Sequence, residues 1–348
     1  MLKRTLRNGL LAGTILATTG LAAFAQDAFD GPTAGPKAAE GKTIVVLAGD
    51  LKNGGILGVT NGIEEAAAKI GWEVKVLDGA GSVQSRAAAV GQALALGPDG
   101  VVINGFDAAE QQAALEGVTA AGIPMVSWHS GPKIGCDAPG GIFANVSTDA
   151  MQVSDVAAKW AIDDAGGKPG VVIFTDSTYQ IAIDKADRMK AAIEAAGGTV
   201  LEYVDTPIAE TSTRMGPLTT TLLQQHGAAW THSLAINDLY FDFMGPSLAA
   251  AGIDGRGAPK AGSAGDGSEA AFQRIRSGQY QVVTVAEPLN LQGWQLVDEL
   301  NRAVQGEACS GYITAPALVT EEGLANITGN AFDPDNGYRE AYAAIWGK

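Results

Sequence analysis

The stretch TIVVLAGDLKNGGILGVTNGIEEAAAKIGWEVKVLDG, Thr43 to Gly79, holds a short apolar run, an Ala-rich segment with helical periodicity and a second apolar run in direct succession. That order predicts strand, helix, strand, with Gly71 of "KIG" ending the helix. The same alternation continues outward from it. "GVVING", "IPMVSWH", "GVVIFTD", "HSLAIND" and "QVVTVAE" are further strand candidates, and "AAEQQAALEGVTAAG" and "IDKADRMKAAIEAAGG" carry helical spacing. Strands alternating with helices predict parallel sheets covered on both faces. About ten such strands are too many for one comfortable sheet, so the expected fold class is α/β with two doubly wound lobes.

Each apolar run ends on a polar or amphipathic side chain. "VVLAGD" stops at Asp50, "GVVIN" at Asn104, "MVSWHS" at Trp128-His129-Ser130 and "VVIFTDS" at Asp176. "LAIND" stops at Asn237, "GSAGDGS" at Asp266 and "VVTVAE" at Glu287. Any one of these residues could be a helix N-cap or a turn residue. Together they occupy the carboxyl edge of parallel strands, where open α/β sheets bind ligands. Asn, Asp and Glu with a Trp and a His suit several hydroxyls and an apolar C–H face.

The start of the chain bears on compartment. Lys3, Arg4 and Arg7 precede an apolar run from Leu10 to Leu21, and Ala23-Phe24-Ala25 gives the small-x-small pattern of a cleaved export signal, with cleavage expected before Gln26. No later segment reaches the ~18 apolar residues of a span. No Cys near the cleavage point offers a lipid attachment site, so an exported, periplasmic protein without direct membrane insertion is expected. The formal net charge is −15, and losing Lys3, Arg4 and Arg7 makes it more negative still. A surface of that sign repels phosphate backbones and anionic membranes, which argues against nucleic acid as a partner.

From Thr43 onward, "VVING", "IPMVSWH", "LAINDLYF", "SAGDGSEAAFQRIRSGQYQVVTVAEPLNLQGWQLVDEL" and "NRAVQGE" follow in an order and spacing that resemble the ribose- and galactose-type periplasmic substrate-binding proteins of ABC transporters. The resemblance covers the chain from about Thr43 to about Thr320. It implies two Rossmann-like lobes joined by a three-stranded hinge, a sugar in the cleft between them, and ABC permease subunits as partners of a monomer. Crossings are then expected near Ser147-Asp149, Glu287-Leu289 and Ala317-Val319. The corresponding division is a signal over 1–25, a flexible leader over 26–41, lobe one over 42–147 and 288–317, and lobe two over 148–287 and 318–348 with a C-terminal extension.

Carried over by position, the resemblance implies ligand contacts from Asn53, Asn104, Asn237 and Asp266. Glu287 falls beside the second crossing, and Asp238 is expected to cap the helix that starts at Leu239. The sequence also departs from ribose binders. Gly55-Ile56 replaces an aromatic pair, and Trp128-His129-Ser130 stands where an Asp-Arg pair is usual. Stacking is therefore expected from Trp128, with Phe106, Tyr179 or Tyr240 as lesser candidates, and His129 as a cleft wall or a ligand contact. The ligand class expected is a neutral monosaccharide or sugar alcohol. In the family's layout Cys136 and Cys309 could share lobe one, which leaves both a disulfide and two thiols open in an oxidising compartment.

Competing chemistry is thin. "DGAGSVQ" lacks the third glycine of a dinucleotide loop, "GSAGDG" is not a nucleophile elbow, and three His with two distant Cys give no metal-ligand spacing. Neither a metal nor a cofactor is expected. A lactose-repressor-type regulator would need a basic helix-turn-helix in place of the export signal. An exported α/β enzyme would need a nucleophile–base pair. A periplasmic sensor feeding a chemoreceptor or sensor kinase is the nearer alternative to a transport binding protein.

Overall fold

The computed structural model describes residues 28–325, 329 and 331–348; the expected export signal and its cleavage point lie outside them. Lobe one opens with β1 (Thr43–Ala48), α1 (Gly54–Ile70), β2 (Glu73–Asp78), α2 (Val83–Leu96), β3 (Gly100–Asn104), α3 (Gln112–Ala120), β4 (Met125–Trp128), β5 (Gly135–Ala138) and β6 (Ile142–Val146). Lobe two follows with α4 (Ala150–Asp164), β7 (Gly170–Thr175), α5 (Gln180–Ala195), β8 (Thr199–Asp205), α6 (Thr211–His226) and β9 (His232–Ala235). It continues through α7 (Gly245–Ala250), β10 (Lys260–Ser263), α8 (Glu269–Ser277) and β11 (Gln281–Ala286). Then α9 (Leu289–Gln305) returns to lobe one, β12 (Ala317–Thr320) and α10 (Glu321–Leu324) belong to lobe two, and α11 (Tyr338–Trp346) ends the chain.

The uninterrupted apolar run of β1 has a direct cause. Ile44, Val46 and Ala48 face the core shared with α1 and α9, while Val45 and Leu47 face the core shared with α2 and α3. A strand covered on both faces leaves no position for a polar residue. Asn53 caps α1 by accepting from the N–H groups of Gly55 and Ile56, and Gly71 ends it in the left-handed region at φ 78. The sheets are ordered β2-β1-β3-β4-β6-β5 and β12-β11-β10-β9-β7-β8. The pairing is parallel except at one edge of each, where β5 runs against β6 and β12 against β11.

Three expectations of chain path need correction. The third crossing comes before Ala317, because Ala317–Thr320 is already strand β12 paired with β11. The C-terminal helix does not stay with lobe two. Tyr338, Tyr342 and Trp346 of α11 join the lobe-one core, where Trp294 of α9 stacks on Trp346 with centroids 5.4 Å apart. The leader, where described, is not a free segment. Phe29 packs edge-on against Tyr312, and Asn301 and Arg302 of α9 bond to the backbone of Ala39 and Ala34. A Gly/Pro/Ala segment has little apolar surface, so these bonds to its peptide groups add to the packing of Phe29, Ala38 and Ala39 against the lobe-one core in holding it.

Cys136 of β5 and Cys309 beyond α9 form a disulfide with Cα atoms 5.9 Å apart. It ties the antiparallel edge strand of lobe one to the chain that leaves α9 for lobe two.

Candidate functional site

The carboxyl ends of the strands of both sheets meet between the lobes around a cavity of about 80 Å3. From lobe one come Asp50, Asn53, Ile56, Trp128 and His129; from lobe two Tyr179, Lys185, Ile236, Asn237 and Asp266. Asn53, Asn237 and Asp266 also line a groove of about 640 Å3 beside it, bounded by α1 and α8.

The loop carrying Asp266 is held from behind. Asp238 Oδ2 accepts from the N–H groups of Asp266, Gly267 and Ser268 at 3.1, 2.8 and 2.9 Å, and its Oδ1 accepts from Gln281 Nε2 at 2.6 Å and from the Ser263 hydroxyl. Asp238 therefore does not cap the following helical turn as expected; Asn237 Oδ1 does, accepting from Leu239 N–H. A carboxylate offers more lone pairs than an amide, so it fits the position where several donors converge.

The Asp266 side chain is 7% exposed and accepts no hydrogen bond among the described residues. Burial pushes its carboxyl up, the nearby Lys185 charge opposes that, Glu287 adds to it, and the result is about 6. Around it, Asn53 and Asn237 use only their side-chain oxygens, so both amide NH2 groups are without a partner among the described residues. Lys185 Nζ donates to Ala264 O at 2.9 Å and has two further N–H groups.

Glu287 has a different position. It is fully buried and does not line the cavity, contrary to its assignment as a ligand contact. Its Oε2 shares a hydrogen bond with His129 Nε2 at 3.1 Å and accepts from Gln292 Nε2 at 3.1 Å and Thr148 N at 3.4 Å. Lys185 Nζ lies 3.8 Å from Oε1. Burial opposes the charge of Glu287, yet His129 and Lys185 hold its carboxyl well below the usual carboxylate range. Gln292 extends the network to Thr314 Oγ1 and accepts from Trp128 Nε1, both within hydrogen-bond distance at 2.9 and 2.8 Å. Thr148, Glu287 and Thr314 lie on the three crossings, so this network pins the hinge. His129, Asp266 and Glu287 each bring one ligand-type atom within 4.8 Å of the others. Lys185 already supplies positive charge there, and Glu287 Oε2 is committed to three donors.

Two other assignments change, those of Asn104 and Asp176. Asn104 is buried below the cavity, donating to Ile56 O and Thr60 Oγ1 at 3.0 and 2.9 Å, and so braces α1. Asp176 organises its own loop through Thr178 and Ile208 N–H. Trp128 lines the cavity, but His129 covers one face of it, ring on ring at 3.8 Å and 8°. His129 has φ 51, a left-handed conformation that reverses the chain and lets consecutive rings stack. Of the lesser candidates, Tyr179 lines the cavity, whereas Phe106 does not and Tyr240 is buried with its hydroxyl donating to Thr206 O. Lys185 and Arg86 escaped the sequence reading. Each stands on the apolar stripe of its helix, Lys185 with Ala182, Ala186 and Met189, Arg86 with Ala89, Val90 and Ala93. A cation at such a position is the signal that could have found them.

Residues 44–308 match the family described as Periplasmic binding protein domain. No curated protein sequence matches the chain. Among solved structures, an ABC transporter solute binding protein from Agrobacterium vitis with bound allitol superposes with a TM-score of 0.70 at 18% identity, over 83% of this chain and 98% of its own. A glucose-galactose binding protein from Geobacillus stearothermophilus gives 0.69 at 18% identity over 82% and 99%. The periplasmic binding protein component of the arabinose ABC transporter from Shewanella sp. ANA-3, bound to α- and β-L-arabinofuranose, gives 0.70 at 16% identity over 87% and 95%. At these identities the likeness is one of fold.

Proposed function

The chain belongs to the periplasmic binding protein domain family, and from that premise we propose that it binds a small neutral polyhydroxylated ligand between its lobes and delivers it, as a monomer, to an ABC importer. The observation that carries this reading is the Asp266 carboxylate. It is nearly buried at an inter-lobe cavity and unpaired among the described residues, with the amides of Asn53 and Asn237 and the spare N–H groups of Lys185 around it. A buried acceptor without a donor is costly, and two ligand hydroxyls would satisfy it. The amides and the ammonium would donate to ligand oxygens, while Ile56, Ile181, Ile208 and Ile236 cover C–H surface.

The mechanism is hinge closure. A ligand touching Asn53 on one lobe and Asn237 and Asp266 on the other interacts fully only when the lobes are together, and so shifts the population toward that state. The Glu287 network gives the crossings a fixed pivot. No helix among the described residues is long and apolar enough to cross a membrane. In this reading the permease subunits recognise the closed form.

A thermal-shift screen of pentoses, hexoses and polyols tests the ligand class. Stabilisation by a polyhydroxylated neutral compound is expected, and a response only to charged solutes would overturn it. Affinity for that compound should also depend on pH. Hydroxyls that donate to Asp266 favour its ionised form, whereas the free site takes up a proton near pH 6. Binding is thus expected to release protons around pH 6 and to weaken as pH falls below it. Titration calorimetry in two buffers of different ionisation enthalpy reads the released proton; no release at pH 6 counts against Asp266 as the acceptor.

A further inference from the structure

Arg86 of α2 is only 4% exposed. A buried guanidinium is tolerated when its donors and charge are matched. Within lobe one Arg86 has the Glu110 carboxylate on Nη1 and the Phe106 ring, whose centroid lies 5.6 Å from its Cζ. Its third partner belongs to the other lobe. Nη2 donates to the Tyr179 hydroxyl at 3.0 Å, and Cζ lies 5.8 Å from the Tyr179 ring centroid. Nε is buried without a hydrogen-bond partner among the described residues. Tyr179 sits at the N-terminus of α5 and lines the cavity, whereas Arg86 does not.

We propose that Arg86 and Tyr179 form a closure latch, a positioning pair that stabilises the closed lobes without Arg86 touching the ligand and holds a measurable fraction of the ligand-free protein closed. The argument is geometric. One partner is fixed in lobe one by Glu110 and Phe106, the other stands on the loop between β7 and α5, and rotation about the crossings must separate them. Charge-assisted bonds to a neutral hydroxyl are stronger than neutral ones, and the cation–π contact adds to them in the same place. Because Tyr179 also lines the cavity, a ligand packed against its ring would restrict it in the orientation that Arg86 needs. The latch rests on the hinge-closure reading but not on the identity of the ligand.

The test uses no ligand. Spin labels on Cys placed at exposed Lys69 of lobe one and Glu194 of lobe two report inter-lobe distance in the full, disulfide-intact chain by pulsed electron resonance. Wild type should show a short-distance population. Tyr179→Phe, which removes one oxygen, should reduce it threefold or more with an unchanged melting temperature. Arg86→Gln should do the same, and the double variant should lose no more than either single one. If Arg86→Gln fails to fold, Tyr179→Phe alone decides. A wild type with no short-distance population, or one that Tyr179→Phe leaves intact, overturns the latch. Neither result bears on the Asp266 assignment.

Discussion

Gly55→Ala is expected to leave the protein folded and unable to close on its ligand. A Cβ at Gly55 would lie 2.3 Å from Asp266 Oδ2, 2.7 Å from Cγ and 2.9 Å from Cβ. The contact crosses the cleft, from the first turn of α1 to the loop after β10. Asp266 cannot withdraw easily, because Asp238 holds its N–H and those of the next two residues. The helix itself gains from the change, since Ala exceeds Gly in helix propensity by up to ~1 kcal/mol. The open form is therefore unharmed while the closed form is excluded. Loss of the contacts made only on closure should weaken binding by at least about 100-fold, roughly 2.7 kcal/mol. Calorimetry with the compound found by the screen, together with small-angle scattering, measures both sides. An Ala variant that still compacts and binds as wild type would mean that α1 and Asp266 do not meet in the bound state.

Glu287→Ala should instead damage the fold. The substitution leaves Lys185, held close to a fully buried carboxylate, without its counter-charge, and removes the hydrogen-bond partner of His129 and the acceptor for Gln292 and Thr148. Removing one partner of a buried ion pair costs about 3–5 kcal/mol. Glu287→Gln keeps an oxygen for two of the donors and should cost less. Because the folded carboxyl lies below its ordinary range, its stabilisation is present at neutral pH and is lost as pH falls below that range. Asp266 has the opposite sign. Its raised carboxyl stabilises the protonated, ligand-free protein at low pH, and that contribution is lost as pH rises through about 6. Urea unfolding of the Ala and Gln variants at neutral pH separates the roles; a loss below about 1 kcal/mol for Glu287→Ala would return Glu287 to the status of a cleft residue.

The strands were legible where burial on both faces made them continuous, as in Ile44–Ala48 and Val171–Phe174. They were not legible where an edge strand is half-exposed and short of apolar residues, as in Gly135–Ala138. Which residues stand at strand ends could be read from sequence; which of them turn toward the cavity could not. Asn104 and Asp266 both follow apolar runs, yet one braces α1 and the other faces open space, because backbone donors and acceptors in neighbouring loops decide the difference. Asn237 and Asp238 exchanged their expected capping role for the same reason. Lys185 and Arg86 carried no local signal of their partners, because Glu287 comes from a distant crossing and Tyr179 from the other lobe. The path of residues 331–348 depended on Tyr338, Tyr342 and Trp346 finding Trp294, a long-range match that no local pattern announces.

The central claim is that the Asp266 carboxylate receives the ligand's hydroxyls. Titration calorimetry of the screened compound into wild type and Asp266→Ala at pH 7.5 tests it most directly. With one buried acceptor removed and the loop still held by Asp238, affinity should fall by about 10- to 100-fold, roughly 1–3 kcal/mol, with the melting temperature of the ligand-free protein unchanged or raised. Equal affinity and equal binding enthalpy in the two proteins would contradict it.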